Sequence, residues 1–307
     1  MPDQTGRRFL ITGANSGIGY RAAEALARRG ATVVLACRNL DKGREALARL
    51  KQDAGGPGSA ADRAELSELN LASLASVRAA AARELARGLP LDGLINNAGV
   101  MGPKRSETED GFELQFGTNV LGHFALTLLL LPALERAEAA RVVTVSSIAH
   151  RRGQIRFDDL AARKHYVPMQ AYAQSKLGNL MFALDLEKRL RARGSRVRSI
   201  AVHPGVAESS LLKIGSGRGL AGVAERALQK TIGKIMNSDV EGALPTLFAA
   251  TASEAQGGSY YGPQGIGETR GGDVGPAKIA PQARDPEAQR RLWEACVALT
   301  GVGGELG

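Results

Sequence analysis

Tyr172 and Lys176 lie four residues apart in Tyr172-Ala173-Gln174-Ser175-Lys176, within a stretch of helical pattern. That spacing puts both side chains on one helix face. A free phenol ionises near pH 10, and an adjacent ammonium favours its phenolate. The pair can therefore serve as a general acid or base near neutral pH. Chance also produces such pairs, so their company matters. Ser146 and Ser147 close one short apolar run, Asn97-Ala98-Gly99 close another, and Asn119 sits in the helical stretch between them.

A second group of residues could hold an anion. Thr12-Gly13-Ala14-Asn15-Ser16-Gly17-Ile18-Gly19 lies between a predicted strand and a predicted helix. Glycines there let backbone approach a pyrophosphate, which then rests on the helix N-terminus. The same pattern also suits a tight turn with no ligand. About 20 residues on, an NAD site would carry an acidic residue for the ribose 2′-hydroxyl. This chain has Cys37-Arg38-Asn39 instead. Arg38 can pair with a 2′-phosphate, and Asn15 and Ser16 add polar groups nearby, so NADP (NADPH) is expected rather than NAD. The plainer reading of Arg38 is an exposed arginine at a strand end.

The elements that position these groups follow from the periodicity. Phe9–Thr12, Thr32–Ala36, Ala64–Leu69, Leu91–Ile95, Val142–Val145 and Val197–Val202 read as strands. Apolar runs of four to six residues without alternation suit strands covered on both faces, and Ala64–Leu69, with its two glutamates, shows this least. Helical patterns cover Gly17–Arg29, Asp41–Leu50 with Asp41 as its cap, Ser73–Ala86, Gly111–Ala137, Gln170–Arg193 and Asp285–Leu299. Strand–helix alternation predicts an α/β fold: one doubly wound parallel sheet with helices on both faces. Residues 1–262 form the expected dinucleotide-binding and catalytic domain, with a cap near 206–235. A C-terminal extension, 263–307, is expected to pack on it as loop plus helix.

Composition excludes several classes. The 307 residues are 44% hydrophobic and 23% charged, too apolar for a disordered chain. The two cysteines, Cys37 and Cys296, cannot make a disulfide scaffold and fit a reducing cytoplasm. The four histidines share no ligand spacing, and no metal is expected; His123 and His203 read as structural. The net charge of +9 is spread over helices with only 4% aromatic residues, which reads as a solvated surface rather than a nucleic-acid site. Phe124–Leu134 is about half a membrane span, and the polar start has no leader pattern, so a soluble cytoplasmic protein without a membrane anchor is expected. Glycine, at 38 residues, clusters in segments that read as loops.

Taken in order, these motifs resemble the short-chain dehydrogenase/reductase family over about residues 7–262. The match comprises the Gly-x3-Gly-x-Gly turn, Asn-Asn-Ala-Gly, helical Asn119, strand-end Ser, Tyr-x3-Lys and Pro204-Gly205. Ala36-Cys37-Arg38-Asn39, Asn119-Val120-Leu121-Gly122-His123-Phe124 and Ser147-Ile148-Ala149-His150 are most similar to the retinol-dehydrogenase-like and protochlorophyllide-reductase-like branch.

The resemblance implies a Rossmann-type fold and hydride transfer between NADP(H) and a carbonyl or alcohol. It implies that Tyr172 exchanges the proton, Ser147 polarises the carbonyl oxygen, and Lys176 holds the nicotinamide ribose and lowers the Tyr172 pKa. Asn119 would position a relay water. Asn97, Ala98 and Gly99 would line the adenosine side, and Pro204, Gly205, Val206 and Ser209 the carboxamide and pyrophosphate. Ser146 is the alternative to Ser147, and Tyr166, with no Lys four residues on, is the lesser tyrosine.

Two positions depart from the family pattern. Asn70-Leu71 replaces the usual Asp at the adenine, where an amide carbonyl can still accept a bond. Ser209 replaces a Thr and keeps its hydroxyl. Leu211, Leu212, Ile214, Leu220 and Val223 in the cap suggest a lipophilic small-molecule substrate, or simply a packing face. The basic residues between His150 and His165 suit an anionic partner or a solvated loop. Helix faces around Asn119 and Tyr172 leave a homo-oligomer open. A non-catalytic NADP-binding regulator is the alternative, although all four catalytic residues are present.

Overall fold

In a computed structural model of the protein, residues 1–55, 60–206 and 237–304 are described. The expected cap, its apolar residues and Ser209 lie outside the described residues, apart from Val206.

The expected strands are β1 (Arg8–Thr12), β2 (Thr32–Cys37), β3 (Glu65–Glu68), β4 (Gly93–Asn96), β5 (Arg141–Val145) and β6 (Arg198–Val202). Two more follow, β7 (Tyr260–Pro263) and β8 (Val274–Pro276). The sheet order is β3-β2-β1-β4-β5-β6-β7-β8, parallel throughout except for the antiparallel β7–β8 pair. The chain reverses direction of winding between β1 and β4, where Leu10 is in register with both Val34 and Leu94. Such a switch point opens a crevice at the strands' carboxyl ends.

Successive strand residues face opposite layers. Leu10, Val34, Leu94 and Val142 join one buried cluster; Phe9, Ile11, Val33, Leu35 and Ile95 join the other. Helices α1 (Gly17–Arg28), α2 (Leu40–Ala54) and α6 (Asp239–Thr251) contribute to the second layer. Helices α3 (Leu74–Ala86), α4 (Leu114–Glu135), α5 (Pro168–Ala192) and α7 (Pro286–Thr300) build the first. Helix α4 is apolar and long enough to cross a membrane, but 89% of its most apolar window is buried within the fold. Helix α7 is held by Trp293, 5.0 Å from Phe124 ring to ring and 6.1 Å from Phe182, beneath the Arg189 guanidinium.

The capping residues set most helix starts. Ser73 Oγ accepts from Ser76 N, and Ser238 and Glu241 form a reciprocal capping box at α6. Asn39, not Asp41, caps α2: its side chain accepts from Lys42 N, and Asp41 lies inside the first turn. Either residue suits a cap chemically. Three elements carry no clear sequence signal. Gly242 and Pro245 interrupt α6, and β7 and β8 are short segments in glycine- and proline-rich sequence.

Candidate active site

At the switch point a cleft of about 1430 Å³ opens, lined by the glycine turn, the tails of β2, β4, β5 and β6, and one face of α5. Gly13 and Gly17 take positive φ, +67° and +58°, which a side chain would strain. A Cβ on Gly13 would stand 3.0 Å from Ala98 Cβ, and one on Gly19 only 2.6 Å from the Gly13 carbonyl oxygen. The turn is thus closed against the β4 tail, and no side chain caps the start of α1. Its first backbone N–H groups are the donors that a phosphate would take. Asn15, Ser16, Ile18 and Gly19 also line the cleft.

Thr12 fixes the neighbouring wall. Its Oγ1 accepts from the backbone N–H of Asn97 and of Ala98, each at 2.9 Å, and Asn97 Nδ2 donates to the Thr12 carbonyl at 2.9 Å. Past β2, Arg38 and Asn39 lie on the cleft with Lys42, Arg49 and Glu45: three cations against one carboxylate. Asn70 and Leu71 line it at the β3 side. Asn70 Oδ1 already accepts from Ala72 N at 3.1 Å and has one lone pair left. Pro204 and Gly205 reach the cleft. Val206 stands beside them, its N–H on Thr269 O and its carbonyl on Asn237 N, both at 2.8 Å.

At the other end of the cleft, Ser147, Tyr172 and Lys176 come together. The two serines separate cleanly. Ser146 is buried and donates from Oγ to the Lys176 carbonyl at 2.7 Å. Ser147 Oγ accepts from Ala149 N at 3.2 Å, and the residue lines the cleft beside Tyr172, whose phenol it pulls toward ionisation. Lys176 Nζ donates to the Val145 carbonyl at 3.0 Å and lies 5.7 Å from the centre of the Tyr172 ring. Tyr166 is spent elsewhere: its hydroxyl donates to Pro103 O at 2.8 Å and accepts from Gln115 Nε2 at 3.0 Å.

The electrostatics differ from the simple pairing. Burial pushes the Tyr172 phenol above its usual value of 10, with the Ser147 bond pulling back, and Lys176 contributes no resolved lowering. Burial also brings Lys176 down from 10.5 to about 8. Desolvation disfavours both charged forms and outweighs their mutual attraction across this distance.

Asn119 lies behind this surface, fully buried on a π turn, Gly117–Leu121, inside α4. Its Oδ1 accepts from Val100 N at 2.8 Å, and its Nδ2 donates to Val100 O at 3.0 Å and Ser175 Oγ at 2.9 Å. Gly99, on the cleft, stands against it: a Cβ there would lie 3.3 Å from Asn119 Oδ1 and 3.5 Å from Lys176 Nζ, so both groups face this glycine.

The sequence shows Thr12 only as the start of the glycine turn, without its bonds to the β4 tail, and gives no signal for Lys42, Arg49 or the π turn. Asn119-x3-His123 is a visible signal for one further participant, since that spacing stacks the two on a helix.

The chain matches the family model described as short chain dehydrogenase over residues 7–214. It is 43% identical over 311 residues to polyprenol dehydrogenase of Mus musculus, covering 99% of this chain and 87% of that protein. It is 39% identical over 299 residues to retinol dehydrogenase 12 of Homo sapiens, covering 97% and 87%. A crystal structure of an uncharacterised protein from Mycobacterium paratuberculosis superposes with a TM-score of 0.77 at 40% identity, covering 98% of this chain and 96% of that one. The chain belongs to the short-chain dehydrogenase/reductase family of oxidoreductases. Within that family it falls in the retinol-dehydrogenase-like branch.

Proposed function

We propose that the protein is an NADP(H)-dependent reductase of lipophilic carbonyl compounds, or the reverse alcohol dehydrogenase, with Tyr172 as general acid/base. The observation that carries this reading is the gathering of Ser147, Tyr172 and Lys176 on one wall of the cleft that the glycine turn opens. The closed Gly13–Gly19 turn and the uncapped start of α1 fit a dinucleotide pyrophosphate. Arg38, Lys42 and Arg49 around the β2 end favour a 2′-phosphate over a bare ribose. Bound NADP(H) supplies the hydride.

The chain's own residues do the remaining work. Ser147 orients the substrate oxygen against the phenol and stabilises developing charge there. Because burial keeps Tyr172 protonated at neutral pH, the free site is set to donate a proton, which suits carbonyl reduction. The Lys176 ammonium lies near enough to stabilise the phenolate left behind. A water held at Gly99 between Asn119 Oδ1 and Lys176 Nζ would return the proton. The names of the two relatives, polyprenol and retinol dehydrogenase, support a long apolar substrate.

The test is a panel of retinal, decanal, a polyprenal and their alcohols, assayed with NADPH and NADH at the nicotinamide absorbance. Turnover of the apolar aldehydes with a preference for NADPH of about tenfold or more is expected, as a charge-assisted phosphate contact gives. Turnover only with NADH, or NADPH binding with no turnover, would refute it; the second result favours the regulator.

A further inference from the structure

His123 lies in the middle of α4, 1% exposed, and does not line the cleft. Its Nε2 stands 2.9 Å from Thr12 Oγ1, and its Nδ1 stands 3.0 Å from the Asn119 carbonyl oxygen. That carbonyl can only accept, so Nδ1 carries the ring proton and donates it. Thr12 Oγ1 already accepts two backbone N–H groups, from Asn97 and Ala98, which leaves its own hydrogen to give. The nearer target is His123 Nε2 at 2.9 Å, against the Ile95 carbonyl at 3.4 Å. The geometry therefore selects one neutral tautomer, with both ring nitrogens satisfied.

We propose that His123 is a positioning residue for catalysis: through this fixed tautomer it locks Asn119 to Thr12, and so to the Asn97–Ala98 wall of the cofactor cleft. The inference rests on the reading of the cleft as a dinucleotide site with Asn119 in its proton path. One imidazole then joins three segments remote in sequence: the end of β1, the tail of β4 and the π turn of α4. Burial brings His123 down to about 4, so the ring stays neutral through the working range and the lock does not open with pH. A leucine could fill the same space but would leave the Asn119 carbonyl and the Thr12 hydroxyl without that partner. Unpaired buried groups of this kind relax by moving.

The test uses the full chain with His123→Leu, which removes both bonds, and His123→Gln, which keeps one donor and one acceptor. Imidazole nitrogen NMR of the wild type should show the proton on Nδ1, with no titration down to about pH 5. NADPH affinity, read from cofactor fluorescence, should weaken about fivefold or more in His123→Leu and return to within about twofold in His123→Gln. With decanal, kcat should fall about tenfold in His123→Leu and fall no further when the change is added to Asn119→Ala. A proton on Nε2, a folded His123→Leu chain with unchanged affinity and kcat, or losses additive with Asn119→Ala would overturn the proposal. If His123→Leu does not fold, the tautomer and the affinity of His123→Gln decide it. A wild type that binds NADPH but reduces no carbonyl would fail the functional reading alone, leaving the tautomer and affinity results to stand.

Discussion

At the residue scale, burial rather than charge pairing sets the ionisation of Tyr172 and Lys176, the proposed catalytic pair. Lys176 is brought to about 8 by the loss of solvent, so it begins to shed its proton just above neutrality. We expect kcat/KM to fall above pH about 8, as the ammonium that stabilises the phenolate is lost. Lys176→Arg, which stays charged, should be slower but lack that alkaline limb. A wild-type profile flat to pH 10 would contradict this. Stability should move the other way. The unfolded chain holds the lysine proton up to 10.5 while the folded chain releases it near 8. Unfolding therefore takes up a proton between these values, and stability rises with pH across that window. The sequence shows the identities of Tyr172, Lys176 and Ser147 but not this balance, because desolvation depends on what surrounds a group in space. The same holds for the two serines: Ser146 is set apart only by the Lys176 carbonyl that receives its hydroxyl.

At the element scale, the strands and most helices are legible because each has one dominant local signal. Leu10, Val34 and Leu94 bury into one layer while their neighbours Ile11, Leu35 and Ile95 bury into the other, so their strands are apolar on both faces. Helix α6 and strands β7 and β8 are not legible, because their stability comes from tertiary pairing. Tyr261, for example, is opposite both Val202 and Pro276. The cap of α2 falls between two equivalent candidates, and geometry chooses Asn39. The lower end of β1 carries a feature that no periodicity predicts. Arg8 is 6% exposed and pairs with Glu84, itself 4% exposed, and with Glu65 at 2.9 Å. Burial alone would lower the Arg8 pKa, but its two carboxylate partners raise it overall. Glu84→Gln leaves the buried guanidinium short of a countercharge. It should cost about 3 kcal/mol in urea denaturation. A loss under about 0.5 kcal/mol would mean that Glu65 alone satisfies Arg8.

At the scale of the whole molecule, the fold brings three distant sequence regions to the carboxyl edge of one sheet. The glycine turn follows β1, the Asn97–Gly99 segment follows β4, and Ser147 follows β5. Helix α5 then lays Tyr172 and Lys176 across their tips. Motif order made this arrangement readable, since a doubly wound sheet leaves few places where those tails can meet. The links behind the cleft were not readable: Thr12 to the β4 tail, His123 to Thr12, and Gly99 against Asn119 and Lys176. They join groups far apart in the chain, and no local pattern records them. The glycine content keeps part of its meaning, since Gly13 and Gly19 stand where no side chain fits. Of the basic residues behind the +9 charge, Arg38, Lys42 and Arg49 gather at the cleft. In the proposed reaction the Tyr172 hydroxyl is the proton donor to the carbonyl being reduced. The most direct test is single-turnover reduction of decanal by the NADPH-loaded Tyr172→Phe chain, compared with wild type. We predict a rate lower by about 10³-fold with NADPH affinity within about threefold, the loss given by removing a general acid. A Tyr172→Phe chain that reduces the aldehyde at the wild-type rate would contradict it.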